Sequence, residues 1–172
     1  MRVLKDSRRL LHALQKIVSS FPCCMKVSRG SPKLIKHSLT SLGAWGGVVS
    51  SATYATGNTG ADFGNTLYND HHFHWGYFIY TAAVITHLDP TWLGHNKAYV
   101  DMLVRDIANP SPHDRWFPVW RCFDWFHGHS WAHGLFDSLD GKDQESSSED
   151  TMHAYALKMW GAVTGDRNLE AR

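Results

Sequence analysis

The stretch from Asp70 to Leu88 constrains the fold of this 172-residue chain more than any other. Phe73, Tyr77, Tyr80, Val84 and Leu88 recur at three- and four-residue steps, which predicts a helix from about Asp70 to His87. Asn69 or Asp70 can cap its start, and Asp89-Pro90 closes it. A helix of this length needs partners on its apolar side. The rest of the chain offers helices rather than strands to cover it, because few segments alternate strictly between apolar and polar residues.

Leu10, Leu11, Leu14, Ile17, Val18 and Phe21 mark an amphipathic helix over residues 5–20, ended by Pro22. Residues 1–22 are therefore expected to form an N-terminal helical unit, and 23–44 a basic Ser/Gly/Pro-rich connector. Beyond it, Gly46 to Gly64 reads as loop with one short helix or strand. A second long helix is predicted over Asn96–Ala108, ending at Asn109-Pro110. Ser130 is a candidate cap for a short helix through Asp137. The last helix begins among Ser147 to Glu149 and carries Met152, Tyr155, Ala156, Met159 and Trp160. The predicted class is all-α with long loops at helix starts.

Charge divides the chain. Residues 1–42 hold nine Lys or Arg against Asp6 alone, whereas 43–172 hold eight basic and fifteen acidic residues. The acidic body has no arginine-rich stripe and speaks against a nucleic-acid partner. No apolar run approaches the length of a membrane span, and the basic start followed by His12, Gln15 and Lys16 makes a poor signal peptide. Cys23, Cys24 and Cys122 have neither metal-ligand spacing nor an even count for a disulfide framework.

Candidate chemistry gathers in three segments. Asn69-Asp70-His71-His72-Phe73-His74-Trp75-Gly76-Tyr77 places Asp70 at a helix start and His74 one turn on, on the same face. Asp70 could be a plain capping residue; as a general acid it would need burial or a neighbouring carboxylate to outweigh the helix field. Glu145 and Glu149 are four apart, and on one continuous helix they would converge as like charges. Phe123-Asp124-Trp125-Phe126-His127-Gly128-His129-Ser130-Trp131 interleaves aromatic rings with histidines. Carboxylates supply the proton transfers of glycosidic cleavage, and aromatic faces accept sugar rings. The histidines lack a His-Glu-x-x-His arrangement, and neither a nucleophile elbow nor a phosphate-binding glycine loop is present.

These residues resemble glycoside hydrolase family 81, the endo-1,3-beta-glucanases. The likeness rests on Trp45-Gly46-Gly47, Ala61-Asp62-Phe63-Gly64-Asn65, the run from Tyr68 to Tyr77, the run from Phe123 to Trp131, and Gln144-Glu145-Ser146-Ser147-Ser148-Glu149. Trp75 stands where the family often has Tyr. The resemblance implies a catalytic region over 45–172, with Asp70 as general acid, Glu145 as base and Glu149 orienting or sharing that role. It also implies His74 as an active-site histidine, inversion at the cleaved β-1,3 bond, and no metal or other cofactor. Tyr68, Trp75, Asp124, Trp125, Phe126, His127, His129 and Trp131 are the expected substrate contacts, while Phe73, Tyr80 and Trp160 are assigned to helix packing.

The family's (α/α)6 toroid is larger than four or five helices can close, so an incomplete portion of it is expected, needing the missing parts of the fold. The implied substrate is β-1,3-glucan, and the implied setting is extracellular or cell-wall associated. The competing expectation is a protein that binds glucan without cleaving it.

Overall fold

A computed structural model describes His12, residues 45–135 and residues 143–172. The expected N-terminal helix and basic connector, with Cys23 and Cys24, lie outside the described residues. In order, the chain forms α1 (Ala52–Thr56), a 3₁₀ turn (Ala61–Leu67), α2 (His71–Leu88), a second 3₁₀ turn (Pro90–Trp92) and α3 (Leu93–Ala108). A two-residue hairpin follows, β1 (Phe123–Asp124) antiparallel to β2 (His129–Ser130), and then α4 (Ser147–Thr164) and α5 (Arg167–Glu170).

Helix α2 is the centre of the fold and packs against both α4 and α3. Its buried side extends beyond one stripe. His71, His72, Phe73, Trp75, Gly76, Ile79, Ala82, Ala83, Ile85 and Thr86 are all buried, whereas Tyr77 and Leu88 of the expected stripe are exposed. A helix covered on several sides loses the period of a half-buried one. The core joins Trp75, Ile79 and Ala83 of α2 to Leu103 and Ile107 of α3 and to Ala156, Leu157 and Trp160 of α4.

Local chemistry accounts for the helix ends. α3 starts before the expected Asn96 because Pro90 opens a 3₁₀ turn whose preceding residue, Asp89, accepts from Thr91 N (3.1 Å) and Thr91 Oγ1 (2.6 Å). It ends where expected, with Asn109 driven extended ahead of Pro110. Ser146 caps α4 by accepting from Glu149 N, and Gly165 closes it in the left-handed conformation (φ 74°). The helix expected after Ser130 is replaced by the hairpin and an extended segment. Ser130 pairs with Phe123, Asp70 N donates to Ala132 O (2.8 Å), and Leu135 N donates to Leu67 O (3.0 Å). Residues 136–137 lie outside the described residues.

Two glycines let backbones approach. A Cβ on Gly76 would lie 3.1 Å from Cα of His153, so α2 and α4 cross there in near-contact. A Cβ on Gly134 would lie 1.8 Å from Leu67 O, which only glycine allows beside the start of α2.

Asp106 of α3 binds these parts together. Its wholly buried carboxylate accepts from Val48 N (3.1 Å), His71 Nδ1 (2.7 Å), Trp75 Nε1 (2.7 Å) and Arg121 Nη2 (3.2 Å). Burial alone would raise its pKa; His71, Arg121 and Trp75 outweigh that and hold it below the ordinary carboxylate range. Removing one member of a buried ionic cluster strands the others. Asp106→Ala should therefore destabilise the protein by about 3–5 kcal/mol, read as a lower denaturation midpoint in urea. An unchanged midpoint would show that the cluster is not holding the fold.

Candidate active site

Asp70 immediately precedes α2, in the left-handed conformation (φ 51°), and its side chain does not cap the helix. Its backbone is pinned instead, with N–H donating to Ala132 O and the carbonyl accepting from His74 N (3.0 Å). Oδ1 is buried and takes no hydrogen bond among the described residues. Burial first, then the charges of Glu145 and Glu149, push the carboxyl up to about 7; His133 partly opposes the rise. The absence of a cap bond and a buried Oδ1 without a hydrogen bond among the described residues accord with a proton held near neutrality.

The two glutamates do not share a helix, in keeping with a last helix that begins among Ser147 to Glu149. Ser146 is the cap, so Glu145 precedes α4 and is exposed, while Glu149 lies in the first turn. A capping box would turn Glu149 back toward the Ser146 backbone. Glu149 Oε1 instead accepts from Tyr77 Oη (3.1 Å) of α2.

Asp150 secures this corner. Its carboxylate accepts from His72 Nε2 (3.0 Å), from Ser130 Oγ and from Gln144 Nε2 (3.1 Å). Burial works against ionisation, but these bonds prevail and bring its pKa to about 2. Through Asp150, α2, the hairpin and the loop bearing Glu145 are drawn to the start of α4. Beneath it, burial lowers His153 to about 3, leaving a neutral ring packed edge-on against His72 (5.4 Å).

Asp143, buried and left-handed (φ 56°), accepts from His133 N (2.6 Å) and from the His133 ring. That bond raises the His133 pKa, placing a readily protonated ring beside Asp70. His74 is mostly buried, with Nδ1 3.5 Å from Asp62 Oδ1; burial lowers its pKa despite the opposing pull of Asp62.

Two expected sugar contacts are corrected. Tyr68 is 5% exposed, donates to Gly46 O (2.9 Å) and lies under the Arg121 guanidinium. Trp75 is 4% exposed and spends its indole N–H on Asp106. Neither offers a face to a ligand, because both are needed around the buried carboxylate.

The remaining candidates share the hairpin. Asp124 accepts from Phe126 N (2.8 Å), His127 N (3.1 Å), His127 Nδ1 (2.7 Å) and Trp131 Nε1 (3.2 Å). The His127 bonds lead in holding it well below the carboxylate range. The tip so ordered displays Trp125 and Phe126, the latter almost fully exposed. Trp125 is braced edge-on by Trp120 (5.1 Å), and Trp131 lies against His127 (5.7 Å) and His129 (4.8 Å). His129 Nδ1 donates to Ser130 O (2.7 Å).

Sequence reasoning missed Tyr77, His133, Asp143 and Asp150 as parts of the site. In sequence Tyr77 is only one member of the helical period, and its partner Glu149 is 72 positions away. The partners of the other three are 6 to 78 positions away and leave no periodic spacing signal. Among the described residues, no group of three His, Cys, Asp or Glu is arranged to hold a metal, and no helix is long and apolar enough to cross a membrane.

Comparison with known proteins matches the chain to a class of glycosidases. The family model described as "Glycosyl hydrolase family 81 C-terminal domain" matches residues 3–172, and the chain belongs to that family. It is 69% identical over 128 residues to a glucan endo-1,3-beta-D-glucosidase of Arthroderma benhamiae, covering 74% of this chain and 14% of that protein. It is 50% identical over 160 residues to the primary septum glucan endo-1,3-beta-D-glucosidase of Schizosaccharomyces pombe, covering 90% and 16%. A solved family 81 glycoside hydrolase from Clostridium thermocellum, a point mutant, superposes with a TM-score of 0.58 at 41% identity, over 63% of this chain and 16% of that one. The chain therefore spans less than a fifth of the length of these relatives. Its helical architecture accords with the all-α toroid of the family.

The raised Asp70 pKa has a stability consequence. An unfolded aspartate ionises near pH 4, whereas the folded one holds its proton to about 7. The folded chain binds the extra proton within that window, so stability is lost as pH rises through it. Asp70→Asn, which cannot ionise, should melt above the parent at pH 8, with the difference closing by pH 4. A melting difference independent of pH would refute the assignment of the shifted proton to Asp70.

Proposed function

We propose that the chain carries the reaction centre of an endo-acting hydrolase of β-1,3-glucan that works with inversion. The observation that carries this reading is the Asp70 carboxyl, with a buried Oδ1 that has no hydrogen bond among the described residues, raised toward neutrality by burial and by the charges of Glu145 before α4 and Glu149 in its first turn. The printed activity of its relatives, glucan endo-1,3-beta-D-glucosidase, supplies the substrate class.

In this reading Asp70 gives its proton to the glycosidic oxygen as the bond to the anomeric carbon breaks. Glu145 takes a proton from the water whose oxygen bonds that carbon from the opposite face. The cycle ends with Asp70 ionised and Glu145 protonated, and solvent restores both. Glu145 is favoured as base because it is exposed ahead of the helix, whereas Glu149 is already held by Tyr77. Glu149 then orients the water and, with Glu145, keeps Asp70 protonated. His133, braced by Asp143, tempers that rise and keeps the acid within reach of neutral pH.

The hairpin tip, ordered by Asp124, supplies aromatic faces and imidazole edges for glucose units: Trp125, Phe126, His127, His129 and Trp131. His74 contacts substrate beside the acid. The proposed setting is extracellular or cell-wall associated, as the septum relative suggests. The proposed partner is the polysaccharide, not a nucleic acid, and the activity draws on the further parts of the family fold.

Asp70→Asn should lower hydrolysis of linear β-1,3-glucan by roughly 10²–10⁴-fold while glucan binding persists, and Glu145→Gln should do likewise. NMR of the fresh wild-type product should show the α-anomer first. Binding with no soluble product from the wild type would favour a glucan-binding protein, and an initial β-anomer would overturn inversion.

A further inference from the structure

The 3₁₀ turn before α2 contains three successive residues in the left-handed region, Asp62 (φ 54°), Phe63 (φ 54°) and Gly64 (φ 76°). Glycine adopts this freely, but for a bulky aromatic residue it is a genuine outlier. Phe63 is also 75% exposed, so burial does not offset the strain. Both flanks are firmly held. Gly64 O accepts from Asn69 N (3.3 Å), Asn65 O accepts from His71 Nε2 (3.0 Å), and Asn65 Oδ1 accepts from Ser50 N (2.8 Å). A strained, exposed ring on a rigid base is the kind of outlier that points to a ligand.

What surrounds the ring narrows the ligand. Its centroid lies 5.6 Å from that of His74, tilted by 58°. The side chains of His74 and Asp62 are each about one-fifth exposed and face one another across 3.5 Å. His74 is one helical turn beyond Asp70 and bonded to its carbonyl. An apolar ring face edged by an imidazole and a carboxylate matches a pyranose, which offers C–H groups on its face and hydroxyls at its rim.

The geometry points to Phe63, with Asp62 and His74 at its edge, as a glucose-binding subsite within one helical turn of Asp70. The strained turn leaves the ring exposed to solvent. Burial lowers the His74 pKa and favours the neutral ring, which with Nδ1 facing Asp62 can accept from a hydroxyl at Nε2. This inference rests on the glucan reading of the site.

The test uses the Asp70→Asn protein as parent, to prevent turnover, and a linear β-1,3-linked glucose hexasaccharide as probe in calorimetry. Phe63→Asn, whose side chain tolerates the left-handed region, should bind about 3- to 10-fold more weakly than the parent. Its Tm should equal or exceed the parent's, and Phe63→Tyr should bind within about twofold of it. Unchanged binding by Phe63→Asn overturns the subsite alone, as does a fall in Tm accompanying weaker binding, which would mark a structural ring. Weakening by Phe63→Tyr comparable to that of Phe63→Asn overturns it too. A parent that binds no hexasaccharide overturns both the subsite and the glucan reading.

Discussion

The buried carboxylate of Asp106 is the interaction on which the other arrangements depend. It draws four donors from three parts of the chain: the Val48 backbone, His71 and Trp75 on α2, and Arg121 ahead of the hairpin. An ionised group out of water is tolerated only when its lone pairs are met, so each donor is held where the carboxylate needs it. The arrangement fixes the rotation of α2 about its axis. With His71 and Trp75 turned toward α3, Asp70 and Tyr77 are left on the side that meets the start of α4. Arg121 extends the constraint by donating to Trp45 O and Gly46 O while covering the Tyr68 ring. Gly47 belongs to the same cluster, since a Cβ there would lie 2.0 Å from Asp106 Oδ1.

The second constraint is the crossing of α2 and α4 at Gly76 and His153. The acid lies before the crossing on one helix, and Glu149 lies before it on the other. Their influence on each other follows from how closely the backbones approach. Asp150 then bridges to His72, Ser130 and Gln144, so the loop that presents Glu145 is tied to the same corner. Two acids therefore play opposite parts. Asp70, without a hydrogen bond at Oδ1 among the described residues, is pushed toward the protonated form, whereas Asp150, given three donors, is held ionised.

Much was legible in the sequence where a local rule decides the outcome. The bounds of α2 follow from its period and from Asp89-Pro90, and the end of α3 from Asn109-Pro110. The start of α4 is legible from Ser146 and Glu149. Ordered motifs indicated the family, and with it the candidate acids. The failures have physical causes. Ser130 looked like a helix cap because a serine serves equally well in a hairpin, and its partner Phe123 is set by pairing across a turn. Tyr68 and Trp75 looked like sugar platforms because an aromatic residue reads alike in sequence whether its face meets solvent or a buried carboxylate.

The sequence by itself determined the long helices, the Ser146 and Gly165 ends of α4, the glycines that permit close approach, and the supply of acids and aromatic rings. Each of these depends on residues a few positions apart, through backbone sterics and short-range hydrogen bonding. Only the tertiary structure decided which acid keeps its proton, which glutamate is exposed and which rings face outward. Those properties depend on burial and on charges brought together from positions up to 79 residues apart, as with Asp70 and Glu149. An aspartate acquires an unusual proton affinity only when folding removes water from it and sets other carboxylates nearby.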